Sequence, residues 1–344
     1  MSSSSAHNSA ELTDNRLHAV AACSVTKPSD SLLSDMDLPW CGRFYPLGYP
    51  IDIVTNVPEV LAIAEETFGH SRATRVGEPL RLHVGVSPSG ERFCPPEPTR
   101  REFNHLYSLV ADVSNQALLD LKTGTSFIWL TQAAISNRSY FRYNFLEKAV
   151  YLQLGAFLVT DIHAACVSRN GRGFLLCGAS GAGKTTLAYA CATHGWTYTS
   201  DDTSYLINDS DPPRVIGHSH RIRFRPAAAH LFPEIALHPQ TLRMEGKASI
   251  EIRLAELPAL QTATEATVDS IIYLNRHPGA ARRLERLAPG TATMRMRDEL
   301  YSAGEIRARH GVNLEKLWNV PTFTLDYCDL TGAVELLDSL AREV

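Results

Sequence analysis

The pattern of apolar and polar positions predicts a first part of the chain that is rich in β-strands. Apolar and polar residues alternate over residues 49–56 and 80–86, and a period of two is typical of half-buried strands. Residues 58–68 have a helical pattern, with Pro58 suited to the first turn and Asn56 a candidate N-cap. Three more strands are predicted, at residues 106–113, 116–121 and 126–131. Residues 95–102 are predicted to form an exposed loop.

The second part of the chain alternates short apolar runs with helical patterns, which predicts a mixture of strands and helices. A helix is expected over residues 145–159, followed at once by a single strand over residues 159–167. The later elements are a turn at 168–173, a strand at 173–177, a helix at 185–194 that ends at Gly195, strands at 196–200, 220–225, 268–274 and 322–327, and a closing helix at 331–341.

These patterns divide the 344 residues into three parts. Residues 1–35 are rich in Ser, Ala and Asn without periodicity, and a disordered tail is expected there. Residues 36–145 are predicted to form an α+β domain, for which substrate recognition is a candidate role. Residues 146–344 are predicted to form an α/β catalytic domain.

Composition narrows the class of protein without identifying it. A hydrophobic content of 44% and a charged content of 20% are ordinary for a soluble globular protein. The net charge of -4 gives no reason to expect nucleic acid or an anionic membrane as a partner. No apolar run approaches a membrane span, and the first residues do not resemble a signal peptide, so a cytoplasmic location is expected. Seven dispersed cysteines without a C-x-x-C pair argue against a disulfide framework and against structural zinc.

The strongest chemical signal is the run of residues 178–185, which matches the phosphate-loop pattern G-x-x-x-x-G-K-[ST] at every fixed position. A predicted strand precedes it and a predicted helix follows it, as the motif requires. Glycines allow successive backbone N–H groups to point at one anion, and the helix N-terminus adds its positive dipole. The residues expected to bind the nucleotide are Gly178, Ser180, Gly181, Ala182, Gly183, Lys184, Thr185 and Thr186.

Two sets of charged residues follow the loop. Asp201 and Asp202 end a predicted strand, where one carboxylate can hold Mg²⁺ and the other can accept a proton, although a solvated turn fits equally well. Alternation over residues 220–225 places arginines on one face of a strand. Arg223 and Arg225 are therefore candidates for binding phosphate or an acidic substrate, and a solvated sheet face is the alternative.

The wider frame resembles the catalytic domain of bacterial HPr kinase/phosphorylase. His163 precedes Lys184 by 21 residues, and Asp201 and Asp202 follow that lysine by 17 and 18, spacings that match the family. The resemblance covers roughly residues 155–230 and includes Gly195 at the end of the intervening helix. It differs at Thr186, where the family has glutamate, and at Arg223, where the family has an acidic metal ligand.

The resemblance implies a phosphate-loop fold similar to that of phosphoenolpyruvate carboxykinase and a kinase that uses ATP and Mg²⁺. Its acceptor would be a hydroxyl, typically a serine of a protein or peptide. By this analogy Lys184 and Thr185 serve the nucleotide and metal, together with Asp201 and Asp202. Asp202 is the preferred base, and His163 lies beside the reacting phosphate. The family forms rings, and homo-oligomerisation of this chain stays an open expectation.

Two other functions fit the same residues. One is a kinase that phosphorylates a small metabolite. The other is a nucleotide-binding regulatory module with little catalysis, against which the Asp201–Asp202 pair speaks because binding alone needs no base. The motif that reads guanine in GTPases has no counterpart at residues 275–278.

Overall fold

A computed structural model of the protein describes residues 37–88, 93–242, 248–279, 281–300, 302 and 304–343. The predicted disordered tail, residues 1–35, lies outside these residues. The contacts of the chain separate two compact units, the first ending at Phe157 and the second beginning at Leu158. Both units combine helices with sheets, so the expectation of a mixed α/β protein is confirmed.

A mixed sheet and a run of helices make up the first unit. Its strands are β1 (Trp40–Phe44), β2 (Ile51–Thr55), β3 (Leu80–Ser87), β4 (Thr99–Phe103), β5 (Leu106–Val110), β6 (Gln116–Asp120) and β7 (Thr125–Thr131). They lie in the order β1–β2–β3–β7–β6–β5–β4, with β3 parallel to both of its neighbours. The helices are α1 (Pro58–Phe68), α2 (Gln132–Ser136), α3 (Arg138–Phe141), a π-helical turn (Arg142–Leu146) and α4 (Glu147–Phe157).

The structure confirms the predicted helix at residues 58–68 and corrects two local details near it. Asn56 does not cap α1. Its side-chain amide instead donates to the carbonyl of Val86 and accepts from the amide of Val86, both at 2.8 Å, which ties β2 to β3. The predicted loop at residues 95–102 contains the start of β4, an edge strand whose residues are all exposed. An edge strand has no buried face, so no apolar alternation marks it.

Helix α4 belongs to the first unit, so the contacts place the division after Phe157 rather than at the expected 145/146. The amide of Gln153 lies 3.5 Å from the carbonyl of Arg81 on β3. The ring of Phe157 lies 3.6 Å from the position that a Cβ on Gly124 would take. The apolar pattern located this helix, but only its packing shows which sheet it covers.

The second unit holds fourteen strands and four α-helices among its described residues. Its strands are β8 (Val159–Ile162), β9 (Ala164–Arg169), β10 (Arg172–Cys177), β11 (Thr197–Ser200), β12 (Ser204–Ile207), β13 (Arg214–Ile216), β14 (Arg221–Phe224), β15 (Gln240–Leu242), β16 (Ala248–Arg253), β17 (Gln261–Thr262), β18 (Glu265–Thr267), β19 (Ser270–Arg276), β20 (Arg283–Arg286) and β21 (Thr322–Tyr327). Its helices are α5 (Lys184–Thr193), α6 (Thr291–Asp298), α7 (Gly304–Leu314) and α8 (Leu330–Arg342).

A central sheet in the order β17–β11–β9–β10–β19–β21–β20 organises this unit. Strands β10, β19 and β21 are parallel. One face packs a buried core against α5 and α8, and the other face packs against α6 and the end of α7. Two smaller sheets, β18–β13–β12–β8 and β14–β16–β15, complete the unit. The described residues include no helix that is both long and apolar enough to cross a membrane.

The predicted single strand at residues 159–167 is wrong, because the chain changes sheets at His163. Strand β8 pairs with β12 in the four-stranded sheet, whereas β9 pairs with β10 and β11 in the central sheet. His163 is the residue between them. Both strands are apolar, so the sequence pattern carries no mark of the break.

The β9–β10 hairpin follows its prediction. Asn170 and Gly171 form its tip with positive φ angles of 54° and 79°. Two successive residues with positive φ are typical of the tight turn that matches the twist of paired strands, and Asn-Gly is the preferred sequence for it. This hairpin delivers the chain directly into residues 178–185.

Candidate functional site

Residues 178–185, here called the glycine loop, connect the end of β10 to the start of α5. Gly178, Gly181 and Gly183 have positive φ angles of 149°, 92° and 99°. Side-chain-bearing residues rarely adopt such angles, so the curl of the loop depends on glycine. The amide of Ala182 donates to the carbonyl of Ala179 at 3.0 Å and closes the turn. The result is a tight backbone curl at a helix N-terminus, the arrangement that suits an anion.

Tyr327 at the end of β21 contacts the glycine loop through its hydroxyl group. Its hydroxyl donates to the carbonyl of Ala182 at 3.1 Å, and a Cβ on Gly183 would lie 2.9 Å from the same oxygen. Gly183 is therefore required both for its backbone angle and for this close approach. The sequence analysis missed Tyr327, since its only signal is a polar tip at the end of a buried strand.

Lys184 is 5% exposed and turns back over the loop. Its ammonium donates to the carbonyl of Gly178 at 2.8 Å and lies 2.9 Å from Nε2 of His163. Burial lowers the pKa of this lysine below its usual value, and the nearby charge of Arg225 lowers it further, while Asp202 opposes both. The loop thus holds a partly desolvated cation at its mouth.

His163 connects Lys184 to Asp202. An ammonium group can only donate, so Nε2 of His163 accepts from Lys184 and the ring proton lies on Nδ1. Nδ1 lies 3.6 Å from Oδ1 of Asp202. The three side chains form a continuous row from the glycine-loop lysine, Lys184, to a carboxylate. A narrow cleft beside His163 is lined by Asp161, Ile162, Met296 and Glu299.

Strand pairing brings His163 and Asp202 together. Ser204 at the start of β12 pairs with Ile162, and Ser200 at the end of β11 pairs with Cys166, so the turn at residues 201–203 faces the break at residue 163. The Ser204 hydroxyl donates to the carbonyl of Ala164 at 3.0 Å. The Ser200 and Ser204 hydroxyl oxygens lie 2.7 Å apart and fix the turn.

Asp201 and Asp202 have different surroundings. Asp201 is buried, and its Oδ2 accepts from the amide of Arg223 at 2.7 Å. Its carbonyl accepts from the Thr185 hydroxyl at 3.2 Å, which links the turn to the first helical turn of α5. The Asp202 side chain is 48% exposed and points to the side of Lys184 and His163. Asp201 is therefore engaged in internal bonds, whereas Asp202 faces the space at the loop.

The arginines of β14 also separate by role. Arg223 forms an ion pair with Glu251 on β16, and Arg221 lies 3.9 Å from the same carboxylate. Arg225 follows the strand and reaches the glycine loop, where its Nη2 donates to the Ser180 hydroxyl at 2.7 Å. The expectation of a solvated arginine face therefore does not describe β14. The sequence analysis missed Glu251. It lies in β16, where a charged residue in an alternating strand gives no sign that it faces the arginines of β14.

The residues present fit a nucleoside triphosphate. Three glycines keep the loop clear of side chains, and the cations of Lys184 and Arg225 flank it with Ser180 and Gly181 exposed at its tip. Thr186 lies partly exposed in the first turn of α5.

The described residues fit a magnesium ion less closely than they fit the nucleotide. The described residues contain no cluster of three or more His, Cys, Asp and Glu that could hold a metal ion. A metal here would need phosphate oxygens in addition to Thr185.

No protein-family model matches the sequence. No curated protein matches it either. Among solved structures, the HPr(Ser) kinase/phosphatase from Coxiella burnetii aligns with 54% of this chain and 99% of its own chain. The identity is 14% and the TM-score is 0.28, which suggests a distant relationship at most.

Proposed function

We propose that the protein is a kinase that uses ATP and Mg²⁺ and transfers the γ-phosphate to a hydroxyl of a protein or peptide. One observation carries this proposal: the row Lys184–His163–Asp202 joins the mouth of an anion-binding loop to an exposed carboxylate. A site that only bound nucleotide would need the loop and the lysine. A carboxylate aligned beside them is what proton removal from an acceptor requires.

In this function the chain positions the reactants and neutralises charge. The glycine loop and the start of α5 hold the phosphates, and Lys184 turns from the carbonyl of Gly178 to the phosphate oxygens. Thr185 would hold the metal together with phosphate oxygens, Asp201 fixes the turn behind it, and Asp202 is left to act as the base. Bound Mg²⁺ neutralises phosphate charge and orients the transferred group.

The transfer conserves atoms and charge. The acceptor oxygen bonds to the γ-phosphorus while the bond from that phosphorus to the β–γ bridging oxygen breaks. The hydroxyl proton passes to Asp202, and ADP leaves with the bonding electron pair. His163 holds its ring proton toward Asp202 and its lone pair toward Lys184, which keeps both groups in place.

The acceptor class rests on the resemblance to HPr kinases described for residues 155–230, with serine as the expected hydroxyl. The first unit is available for recognising it, and the protein is expected to act without nucleic acid or a membrane surface. A small metabolite is the second candidate acceptor on the same site, since its hydroxyl could also reach the half-exposed carboxylate of Asp202.

The test is mass spectrometry of proteins from the host lysate after incubation with ATP, Mg²⁺ and the full-length protein. Lys184→Met serves as the control, because it keeps the bulk of the buried side chain and removes the charge. A serine that gains phosphate only with the intact protein supports the proposal and names the acceptor. If ATP binds but neither peptides nor metabolites are labelled, the function is regulatory binding and not phosphoryl transfer.

A further inference from the structure

A second cation, Arg225, reaches the glycine loop. It comes from a different element than the residues of the Lys184–His163–Asp202 row. Arg225 comes from the end of β14, and the 3-10 turn Pro226–His230 begins directly after it. The carbonyl of Arg225 accepts from the amide of Ala228 at 2.9 Å, which fixes the backbone at this point. The side chain therefore starts from an ordered position and extends to the loop.

The guanidinium of Arg225 lies across the tip of the loop. Its Nη2 donates to the Ser180 hydroxyl at 2.7 Å, and its Nη1 lies 3.9 Å from the position that a Cβ on Gly181 would take. Arg225, Ser180 and Gly181 are all exposed. A guanidinium carries five N–H donors, and a single hydroxyl acceptor uses one of them. A charged group is thus held at the loop with further donors for oxygen ligands.

The charges around this group differ from those around its neighbours. Arg221 and Arg223 share the carboxylate of Glu251. Arg225 instead donates to the neutral Ser180 hydroxyl, and the ammonium of Lys184 donates to the carbonyl of Gly178 on the same loop. Two cations held at one loop repel each other, and an anion bound at that loop relieves the repulsion. The glycine loop is the place where phosphates are expected.

We infer that Arg225 is a catalytic residue that leaves Ser180 when nucleotide fills the loop and donates to the γ-phosphate as transfer proceeds. This inference rests on the proposed kinase function. During transfer the bond to the β–γ bridging oxygen breaks, and charge shifts to that oxygen and to the three oxygens of the transferred group. Arg225 stabilises this developing charge from outside the loop, while Lys184 acts from its mouth. Ser180 holds the guanidinium ready until the oxygens are present.

Binding of ADP with Mg²⁺, alone and with aluminium fluoride, tests this role without a known acceptor. The ADP–aluminium fluoride complex mimics the transferred group, so a residue that acts in the transition state tightens that complex and not ADP itself. We expect Arg225→Ala to weaken the aluminium fluoride complex by about 10²–10³-fold, the usual effect of losing one such donor. The affinity for ADP should change less than about threefold. Arg225→Lys should restore part of the loss, since a lysine provides charge without the planar fork.

A control variant separates this role from a general loss of positive charge. Arg253→Ala removes an exposed arginine whose backbone lies opposite Arg221 on the same small sheet, and it should change neither complex. If Arg253→Ala reproduces the loss seen for Arg225→Ala, the effect comes from the charge of the sheet and the inference is overturned.

The remaining outcomes distinguish this inference from the proposed function. Equal weakening of ADP and of its aluminium fluoride complex would make Arg225 a ground-state binding residue and overturn the catalytic role. No change in either complex would overturn it too, and in both cases the kinase proposal stands. If the wild-type protein binds neither complex, the proposed function itself fails. Melting temperatures of all variants, measured in parallel, show that each is folded.

Discussion

Asp201 and Asp202 are adjacent and chemically identical, yet they differ in burial and in the groups that they contact. Asp201 is buried and accepts from the amide of Arg223, and burial together with this carboxylate raises the pKa of the Tyr198 hydroxyl well above its usual value. Asp202 is half exposed and faces His163. The difference follows from the turn after β11, in which the side chain of Asp201 reaches the backbone of β14 and that of Asp202 reaches His163.

This difference predicts opposite phenotypes for two matched substitutions. Asp201→Ala removes a buried acceptor and should lower the free energy of unfolding by about 1–3 kcal/mol, because the Arg223 amide loses its partner. Asp202→Ala should change stability by less than about 0.5 kcal/mol, as is usual at exposed positions, and should abolish phosphoryl transfer. Thermal unfolding and phosphorylation assays on both variants check this. A stable, inactive Asp201 variant beside an active Asp202 variant would reverse the assignment.

The lowered pKa of Lys184 predicts that ATP affinity and the contribution of Lys184 to stability change with pH in opposite directions. Its pKa in the folded protein lies below the usual value, mainly because of burial. In the proposed function ATP binding uses the ammonium, so affinity should fall as pH rises through this lowered pKa, earlier than for an ordinary lysine. The unfolded chain keeps the ordinary pKa and binds more protons in this window, so the contribution of Lys184 to stability rises with pH there.

The measurement is a comparison of wild type with Lys184→Met from neutral to alkaline pH. Calorimetric titration with ATP and Mg²⁺ gives the affinity, and denaturant unfolding gives the stability. The difference between the two proteins in affinity should shrink as pH rises. A difference that stays constant up to the ordinary pKa of lysine would show that Lys184 is not desolvated.

At the scale of elements, three glycines show how differently one residue type can act. Gly173 in β10 has a Cβ position only 1.8 Å from the carbonyl of Thr267, so β10 and the last residue of β18 approach too closely for any side chain. Gly171 in the hairpin turn has open space around its Cβ position but a φ of 79°. Gly155 in α4 has open space and no positive φ.

These three sites predict an order of melting temperatures for single alanine substitutions. Gly155→Ala should stabilise by about 0.5–1 kcal/mol, since alanine favours the helix. Gly171→Ala should destabilise by about 1–2 kcal/mol, because the turn requires a left-handed conformation. Gly173→Ala should destabilise most, since a carbonyl group of the backbone must move. Thermal unfolding ranks the variants, and a Gly173 variant as stable as the Gly171 variant would contradict the close approach.

At the scale of the whole molecule, the division after Phe157 puts every candidate site residue in the second unit. Residues 158–344 alone are therefore expected to bind ATP and Mg²⁺ with about the affinity of the full chain. Calorimetric titration of the two proteins checks this. The full chain should phosphorylate the acceptor and the fragment should not, if the first unit recognises it. A fragment that phosphorylates the acceptor normally would exclude that role for the first unit.

Much of the secondary structure could be predicted because it depends on local pattern. The helix at residues 58–68, the strand at 80–86 and the Asn170–Gly171 turn follow from periodicity, from Pro58 and from turn chemistry. The glycine loop followed from spacing, since three positive φ angles need glycine at particular positions. Strand β4 and the break at His163 were missed, because neither an exposed edge nor a change of sheet alters the apolar pattern.

The sequence alone therefore determined that a glycine loop lies between a strand and a helix, and that His163, two aspartates and several arginines lie near it along the chain. The residue pattern left Asp201 and Asp202 equivalent, with only the family resemblance preferring Asp202 as base; it also left the arginines of residues 221–225 equivalent and His163 inside a strand. The tertiary structure decided their contacts, because pairing across sheets brings different partners near each side chain. Glu251 engages Arg221 and Arg223, Ser180 receives Arg225, and the break between β8 and β9 turns His163 toward Lys184 and Asp202.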